Sequence, residues 1–130
     1  VGNAEYGLIL YRDKLPKFNN NGKMVFNVMD WPRENKYEKI HPTQKPVELL
    51  QNLIEIFTDP GEVVIDPVAG SGSTLVAANN CGRRAYGFEI KKNFFRDAEK
   101  WVNENKVLND EIKRLGYAKT AISKQQSILF

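Results

Sequence analysis

The fold is decided by residues 63–75, which read VVIDPVAGSGSTL. Three β-branched residues lead to Asp66, two glycines follow at positions 70 and 72, and Leu75 begins an apolar run. This order predicts a buried strand, a tight turn and the start of a helix. Glycines let the backbone approach a ligand closely, and free amides at a helix start favour an anionic group. We therefore interpret the loop as a cofactor site, although an ordinary strand-to-helix turn could contain the same glycines.

A second acidic residue, Glu89, ends a run that predicts a strand over residues 84–89. Ligands of open α/β sheets lie outside the carboxyl ends of the strands, where both Asp66 and Glu89 are expected. Glu89 lies 17 residues after Gly72, and a carboxylate there can accept hydrogen bonds from both hydroxyls of a ribose. Leu75 replaces the third glycine of the dinucleotide fingerprint, which argues against NAD. The spacing therefore indicates a nucleoside ligand.

Composition limits the classes to which the protein can belong. The 130 residues are 42% hydrophobic and 27% charged, as is usual for one soluble domain, with no membrane-spanning run and no secretory signal. A lone cysteine, Cys81, and a lone histidine predict neither a disulfide nor a metal site, so we expect a cytoplasmic protein. Because residue 1 is not Met, we expect a processed chain or a piece of a longer one.

The charge is unevenly distributed. Residues 47–90 carry two Lys/Arg against six Asp/Glu, whereas the segments on either side are basic. An acidic ligand-binding centre between basic segments suits a protein that approaches a phosphate backbone, although solvated surface charge explains it equally well. In the loop before residue 40, basic and aromatic side chains alternate and could contact nucleic acid, or could simply line an exposed loop: Lys14, Lys17, Lys23, Arg33, Lys36 and Lys39, with Phe18, Trp31 and Tyr37.

Periodicity predicts the remaining elements. Two β-rich runs predict strands over residues 6–11 and 24–29. Apolar residues at helical spacing predict a helix over 44–58, with Thr43 as N-cap and Pro46 in its first turn. A short helix is predicted over 73–80, and a long one from about 92 to 115 with Gly116 as its C-cap.

Three motifs resemble those of a known family. They are HPTQKP at 41–46, DPVAGSGST at 66–74 and GFE at 87–89. These resemble motif X, motif I and the ribose-binding strand of DNA amino-methyltransferases that use S-adenosylmethionine, in the β-type motif order. Such enzymes methylate adenine N6 or cytosine N4 and serve restriction-modification systems or phages. The resemblance implies an α/β fold, namely a partial Rossmann-like methyltransferase fold with an incomplete doubly wound sheet and helices packed on it. Val68 and Ser73 depart mildly from the family pattern.

The resemblance also implies roles for individual residues. Gly70 and Gly72 would bring the backbone to the methionine portion of S-adenosylmethionine, and Glu89 would bind the ribose hydroxyls. Asp66 would orient the loop or contact the amino group of the cofactor through water. Thr43 and Lys45 would hold the carboxylate end of the cofactor. The implied cofactor-binding set is Thr43, Lys45, Asp66, Pro67, Gly70, Gly72, Ser73 and Glu89, and no metal is implied.

One expected motif is missing from the chain. The family's chemistry depends on an Asp/Asn/Ser-Pro-Pro-aromatic motif that holds the flipped base, and the sequence contains no Pro-Pro dipeptide. The chain therefore resembles the cofactor-binding C-terminal portion of such an enzyme, with no catalytic residue of its own. We expect residues 1–40 to end a target-recognition or linking region, 41–116 to form the S-adenosylmethionine-binding half and 117–130 to form a tail. A half sheet leaves an open edge and exposed apolar surface, which a missing N-terminal half or self-association would cover.

Other interpretations remain open. The pocket could belong to a non-catalytic module that binds S-adenosylmethionine or DNA, or, less consistently with Leu75, to a nicotinamide-binding oxidoreductase fragment. Double-stranded DNA is the expected macromolecular partner. The terminal residues 125–130, QQSILF, are similar to peptides that dock on the bacterial sliding clamp, although a tail folded onto its own core is equally consistent.

Overall fold

The computed structural model describes residues 4–31 and 36–126, with side chains described as far as residue 114. Its elements are α1 (Val47–Phe57), β1 (Val63–Asp66), α2 (Ser73–Asn80), β2 (Arg84–Gly87) and α3 (Lys92–Gln126). The two strands pair in parallel, with Val63 opposite Arg84 and Asp66 opposite Gly87. This β1–α2–β2 unit confirms the predicted α/β class. No helix within the described ranges has the length and apolar character needed to cross a bilayer.

Helix α2 lies at the centre of the core. Its residues Val76, Ala77 and Ala78 are completely buried, and α1 contributes Val47 and Ile54 to the same cluster. Two consecutive alanines let the helix approach its neighbours closely. The approach is tightest at Gly87, where an added Cβ would lie 2.8 Å from Leu75 Cδ1. The strand-turn-helix unit predicted around residues 63–80 is therefore confirmed, with α2 ending before Gly82 as expected.

A buried arginine connects the end of α1 with the turn before β2. Arg83 donates from Nε to Thr58 Oγ1 (3.0 Å) and from Nη2 to the Thr58 carbonyl (2.6 Å), while Nη1 donates to the carbonyl of Cys81. Burial of a guanidinium is tolerated only when its donors are satisfied. The contact thus fixes the turn from which β2 starts.

Helix α1 begins three residues later than predicted. Val47 is its first residue, Pro46 occupies the N-cap position with φ −59° and ψ 127°, and no side chain caps the helix. The N-cap role predicted for Thr43 is therefore wrong. A residue that precedes proline is disfavoured in the helical region, so Lys45 could not belong to the helix.

Helix α3 continues beyond the predicted end. It passes through Gly116 and reaches Gln126, so the predicted C-cap at Gly116 is wrong. One interior glycine costs a helix only about 1 kcal/mol, and the residues that follow, YAKTA, include good helix formers and no proline. The first turns of α3 pack through Ala98, Trp101 and Val102, whereas Leu108 and Ile112 further along the predicted stripe are exposed.

The strands predicted over residues 6–11 and 24–29 are wrong. Neither segment has regular secondary structure, and Tyr6 and Leu8 are 93% and 87% exposed. A strand is stable only when a neighbour accepts its backbone hydrogen bonds, and the described part of the chain provides no such neighbour for either segment.

One face of the small sheet is bare. Val64 and Ala85 face α2, whereas Ile65, Tyr86 and Phe88 point to the other side and are each more than half exposed. Within the described residues each strand pairs only with the other, which leaves an open edge on both. The predicted open edge and exposed apolar surface are thus present.

Candidate functional site

The glycine loop connects β1 to α2 at the carboxyl edge of the sheet. Gly70 and Gly72 have φ values of +55° and +80°, a region that other residues rarely adopt. Gly72 is the N-cap of α2, and its carbonyl accepts from the backbone N–H of Val76 at 3.0 Å. A Cβ on Gly72 would lie 3.1 Å from Val102 Cγ2 and 3.3 Å from Ala98 Cβ. The loop therefore requires glycine both for its conformation and for its contact with α3.

Asp66 shapes the start of this loop. Its Oδ1 accepts from the backbone N–H of Val68 at 3.0 Å, which closes a short turn through Pro67. Ser73, the first residue of α2, is buried. These contacts support the predicted role of Asp66 in orienting the loop.

Glu89 connects the loop to the end of the second strand. One carboxylate oxygen accepts from the backbone N–H of Gly70 at 3.1 Å, and the other accepts from that of Lys91 at 2.8 Å. The Lys91 N–H, followed by the Gly70 N–H, holds the pKa of Glu89 below its ordinary value despite some desolvation. The group is therefore a carboxylate at neutral pH. A carboxylate has about four acceptor positions, so each oxygen can accept one more donor.

The amides of the two glycines are engaged within the loop itself. Gly70 donates its N–H to Glu89, and Gly72 donates to the carbonyl of Ala69 at 2.8 Å. The first two amides of α2 have no acceptor within the helix and are oriented outward from its start, whereas that of Leu75 donates to the Gly72 carbonyl at 2.9 Å. An anionic ligand group would therefore meet the start of α2, while the glycines allow it to come close.

His41 belongs to this site, although sequence reasoning did not place it there. Its ring packs edge-to-face on Phe94, with ring centroids 4.2 Å apart, and its Cε1 and Nε2 would lie 3.7 and 3.8 Å from a Cβ on Gly70. The backbone N–H of Thr43 donates to Nδ1 at 3.2 Å, which places the proton of the neutral ring on Nε2, at the edge that faces Gly70. The signal available in the sequence was the position of His41 within the same motif as Thr43.

Lys45 has a different partner from the one implied by the resemblance. Its ammonium group donates to both oxygens of Glu5, at 2.9 and 2.7 Å, and lies 5.1 Å from the centre of the Trp31 ring. Its assignment to the cofactor carboxylate stays a prediction. Thr43, by contrast, is connected to the glycine loop through His41.

The fold thus brings most of the predicted site together. Six of its eight members lie at the carboxyl edge of the two strands: Asp66, Pro67, Gly70, Gly72, Ser73 and Glu89. The arrangement suits a ligand with adjacent hydroxyl groups for Glu89 and an anionic group for the start of α2. A nucleoside that carries an amino-acid carboxylate, as S-adenosylmethionine does, has both.

Several of the residues considered for nucleic-acid contact are engaged within the protein. Lys17 forms ion pairs with Asp59 and Glu62, Phe18 packs against Phe57, and Tyr37 packs against Trp101. Arg33 lies outside the described residues. The engaged side chains anchor the loop to α1 and α3.

Comparison with known proteins identifies similar sequences and folds. Residues 9–100 match the N6/N4 DNA methylase family. The DNA adenine methyltransferase YhdJ of Escherichia coli (strain K12) is 39% identical over 97 residues, which are 72% of this chain and 33% of that protein. The type II methyltransferase M2.DpnII of Streptococcus pneumoniae is 39% identical over 102 residues, which are 76% of this chain and 38% of that protein.

A solved structure shows the same fold. The M1.HpyAVI–SAM complex superposes with a TM-score of 0.59 at 33% sequence identity, over 67% of this chain and 44% of that chain. This likeness confirms the predicted partial Rossmann-like fold. The chain spans about a third of the length of the curated relatives that it matches.

Proposed function

The chain belongs to the N6/N4 DNA methylase family, and from this premise we propose that it forms the S-adenosylmethionine-binding part of a DNA amino-methyltransferase. The reaction is transfer of a methyl group to the exocyclic amine of adenine (N6) or cytosine (N4). The observation that carries the proposal is the contact between Glu89 and Gly70, which joins the acid at the end of β2 to the loop after β1. The sequence similarity to YhdJ and the structural similarity to the M1.HpyAVI–SAM complex support the same assignment.

Each group at the carboxyl edge has a distinct task in binding. Glu89 accepts hydrogen bonds from the two ribose hydroxyls with the oxygen positions that Gly70 and Lys91 leave available. The start of α2 attracts the amino-acid carboxylate, and Thr43 and Lys45 complete its binding. Asp66 and His41 hold the glycine loop from its two sides. When bound, the cofactor supplies an electrophilic methyl group on its sulfonium.

The chain contributes to the reaction by positioning. Holding the donor in one orientation converts an encounter of two molecules into a reaction within one complex, which can account for several kcal/mol of the barrier. The base pocket needs the Pro-Pro motif, which this sequence does not contain. We propose that a separate segment supplies that motif and covers the bare sheet face around Ile65, Tyr86 and Phe88, so that the chain by itself is inactive.

The proposed function also implies roles for the three regions of the chain and for its partners. Residues 1–40 would belong to a target-recognition or linking region, 41–116 to the cofactor-binding half, and 117–130 to a tail. Double-stranded DNA would be the substrate. Contact of residues 125–130 with the sliding clamp stays a proposal, and residues 127–130 lie outside the described structure. Loss of clamp pull-down after deletion of 125–130 would support it, and an unchanged signal would contradict it.

Two measurements test the proposed function. Calorimetry with S-adenosylhomocysteine and with NAD should show binding of the first only, and Glu89→Gln should weaken it. Methyl incorporation into DNA should be absent for the chain alone and should appear when the part of YhdJ outside the matched region is co-expressed. Binding without any incorporation in either case would favour a non-catalytic module, and failure to bind S-adenosylhomocysteine would contradict the proposal altogether.

A further inference from the structure

The side chain of Glu5 stands where the proposed function requires a ligand. Lys45 is assigned to the cofactor carboxylate, yet its ammonium donates to both carboxylate oxygens of Glu5, at 2.9 and 2.7 Å. The side chain of Glu5 and the amino-acid end of the cofactor belong to the same chemical class, a carboxylate on a flexible aliphatic stem. A short two-oxygen contact of this kind uses the donors that would bind a second carboxylate.

The segment that carries Glu5 is weakly held elsewhere. From Tyr6 to Leu10 every side chain is exposed, and the backbone has no regular structure. The next anchoring point along the chain is Lys17, which pairs with Asp59 and Glu62 near the end of α1. Residues 4–11 can therefore move away from Lys45 without breaking a helix, a strand or a buried contact.

We propose that Glu5 is an internal competitor for the cofactor carboxylate, and that residues 4–11 act as a latch which cofactor binding displaces. The inference rests on the proposed function, because it requires that Lys45 bind that carboxylate. In the latched state Glu5 neutralises Lys45. In the open state Lys45 remains beside Trp31, 5.1 Å from its ring centre, and is available to the ligand.

The strength of the latch sets the size of the effect. Glu5 and Lys45 are both substantially exposed, and exposed ion pairs contribute little to stability. A latch of that strength reduces the fraction of molecules able to bind carboxylate and weakens apparent affinity about two- to sixfold. Removing the charge of Glu5 should therefore raise the apparent affinity by this factor.

The test compares two ligands and two variants. S-adenosylhomocysteine carries the amino-acid carboxylate, whereas 5′-methylthioadenosine has the nucleoside and thioether without it. Glu5→Gln should tighten binding of S-adenosylhomocysteine about two- to sixfold and leave that of 5′-methylthioadenosine unchanged. Lys17→Met is the matched control, because it removes the ion pairs at the next anchoring point along the chain while leaving Glu5 and Lys45 in place, and it should change neither affinity.

The outcomes separate this inference from the proposed function. Equal gains for both ligands, or an equal gain in Lys17→Met, would overturn the inference, because general opening of the segment would then be the cause. An unchanged or weakened affinity in Glu5→Gln for S-adenosylhomocysteine would overturn it as well. If neither the wild type nor Glu5→Gln bound either ligand, the proposed function itself would fail, and the latch with it.

Discussion

Replacing Gly72 with alanine tests how closely the glycine loop packs against α3. The change adds one methyl group at a residue with φ +80°, and that methyl would lie 3.1 Å from Val102 Cγ2 and 3.3 Å from Ala98 Cβ. The strained backbone conformation and the crowding against α3 both destabilise the folded state. We therefore expect a loss of stability together with a weaker S-adenosylhomocysteine affinity.

The magnitude follows from these two costs. A left-handed backbone conformation costs a non-glycine residue about 1–2 kcal/mol. Contacts of 3.1 and 3.3 Å require the neighbours to move by a few tenths of an ångström, so the crowding cost belongs at the low end of overpacking, about 1 kcal/mol. The expected loss for Gly72→Ala is about 2–3 kcal/mol, or roughly 6–18 °C in melting temperature for a domain of this size.

A second glycine provides the control for backbone strain alone. Gly61 has φ +84°, and a Cβ there would have no heavy atom within 4 Å. Urea unfolding of Gly61→Ala should therefore show a loss of about 1–2 kcal/mol, and the excess in Gly72→Ala measures the crowding. In a double-mutant cycle, Val102→Ala should recover the part of that excess that comes from Val102 Cγ2, and the contact with Ala98 Cβ should remain. If Gly72→Ala cost no more than Gly61→Ala and did not couple to Val102, the packing of the loop on α3 would be refuted.

Three further changes test the site and its supports. Glu89→Gln should weaken S-adenosylhomocysteine binding about ten- to a hundredfold in calorimetry, because hydrogen bonds to a charged acceptor contribute about 1.5–3 kcal/mol, with an unchanged circular dichroism spectrum as the check on folding. Arg83→Met should destabilise the protein by about 2–4 kcal/mol in urea unfolding, since it removes the hydrogen bonds from a buried guanidinium to the partly buried hydroxyl and carbonyl of Thr58, whereas the exposed neighbour Arg84→Met should change stability by less than about 0.5 kcal/mol. The Lys17 ammonium lowers the pKa of Asp59, so this carboxylate contributes stability above its ordinary pKa and loses it as the pH falls through the lowered value. The stability difference between wild type and Asp59→Asn should therefore be largest at neutral pH and shrink in acid, and a difference independent of pH would contradict the assignment.

The sequence was most informative where the structure depends on neighbouring residues. The run ending at Asp66 forms β1, the helix over 73–80 is α2, and Glu89 lies at the predicted edge. Each is determined within about 25 residues by β-branched residues, glycines and one short crossover. Such local signals are available without knowledge of the rest of the fold.

Strands that need a distant partner could not be predicted reliably. Residues 6–11 have strand-forming composition, yet Leu8 and Tyr6 are exposed and unpaired because the described chain offers no adjacent strand. Composition shows that a segment fits a sheet, and only tertiary structure decides whether a sheet is there. The same applies to the exposed part of α3 around Leu108 and Ile112, whose apolar spacing predicts a packed face.

Contacts between side chains far apart in sequence were also beyond prediction. His41 meets Phe94 and Gly70, and Glu5 meets Lys45, across separations that no spacing rule covers. The late start of α1 was predictable, by contrast, because Pro46 restricts the residue before it. At that point the backbone restriction before proline, and not the helical period, determines where the helix begins.

The proposed function requires that the loop at Gly70 and the acid at Glu89 together bind a nucleoside that carries a transferable methyl group. The most direct measurement is a crystal structure of the chain with S-adenosylmethionine. We expect the two ribose hydroxyls on the carboxylate of Glu89 and the amino-acid carboxylate near the start of α2. A cofactor bound elsewhere, with Glu89 making no contact to it, would contradict the proposed function.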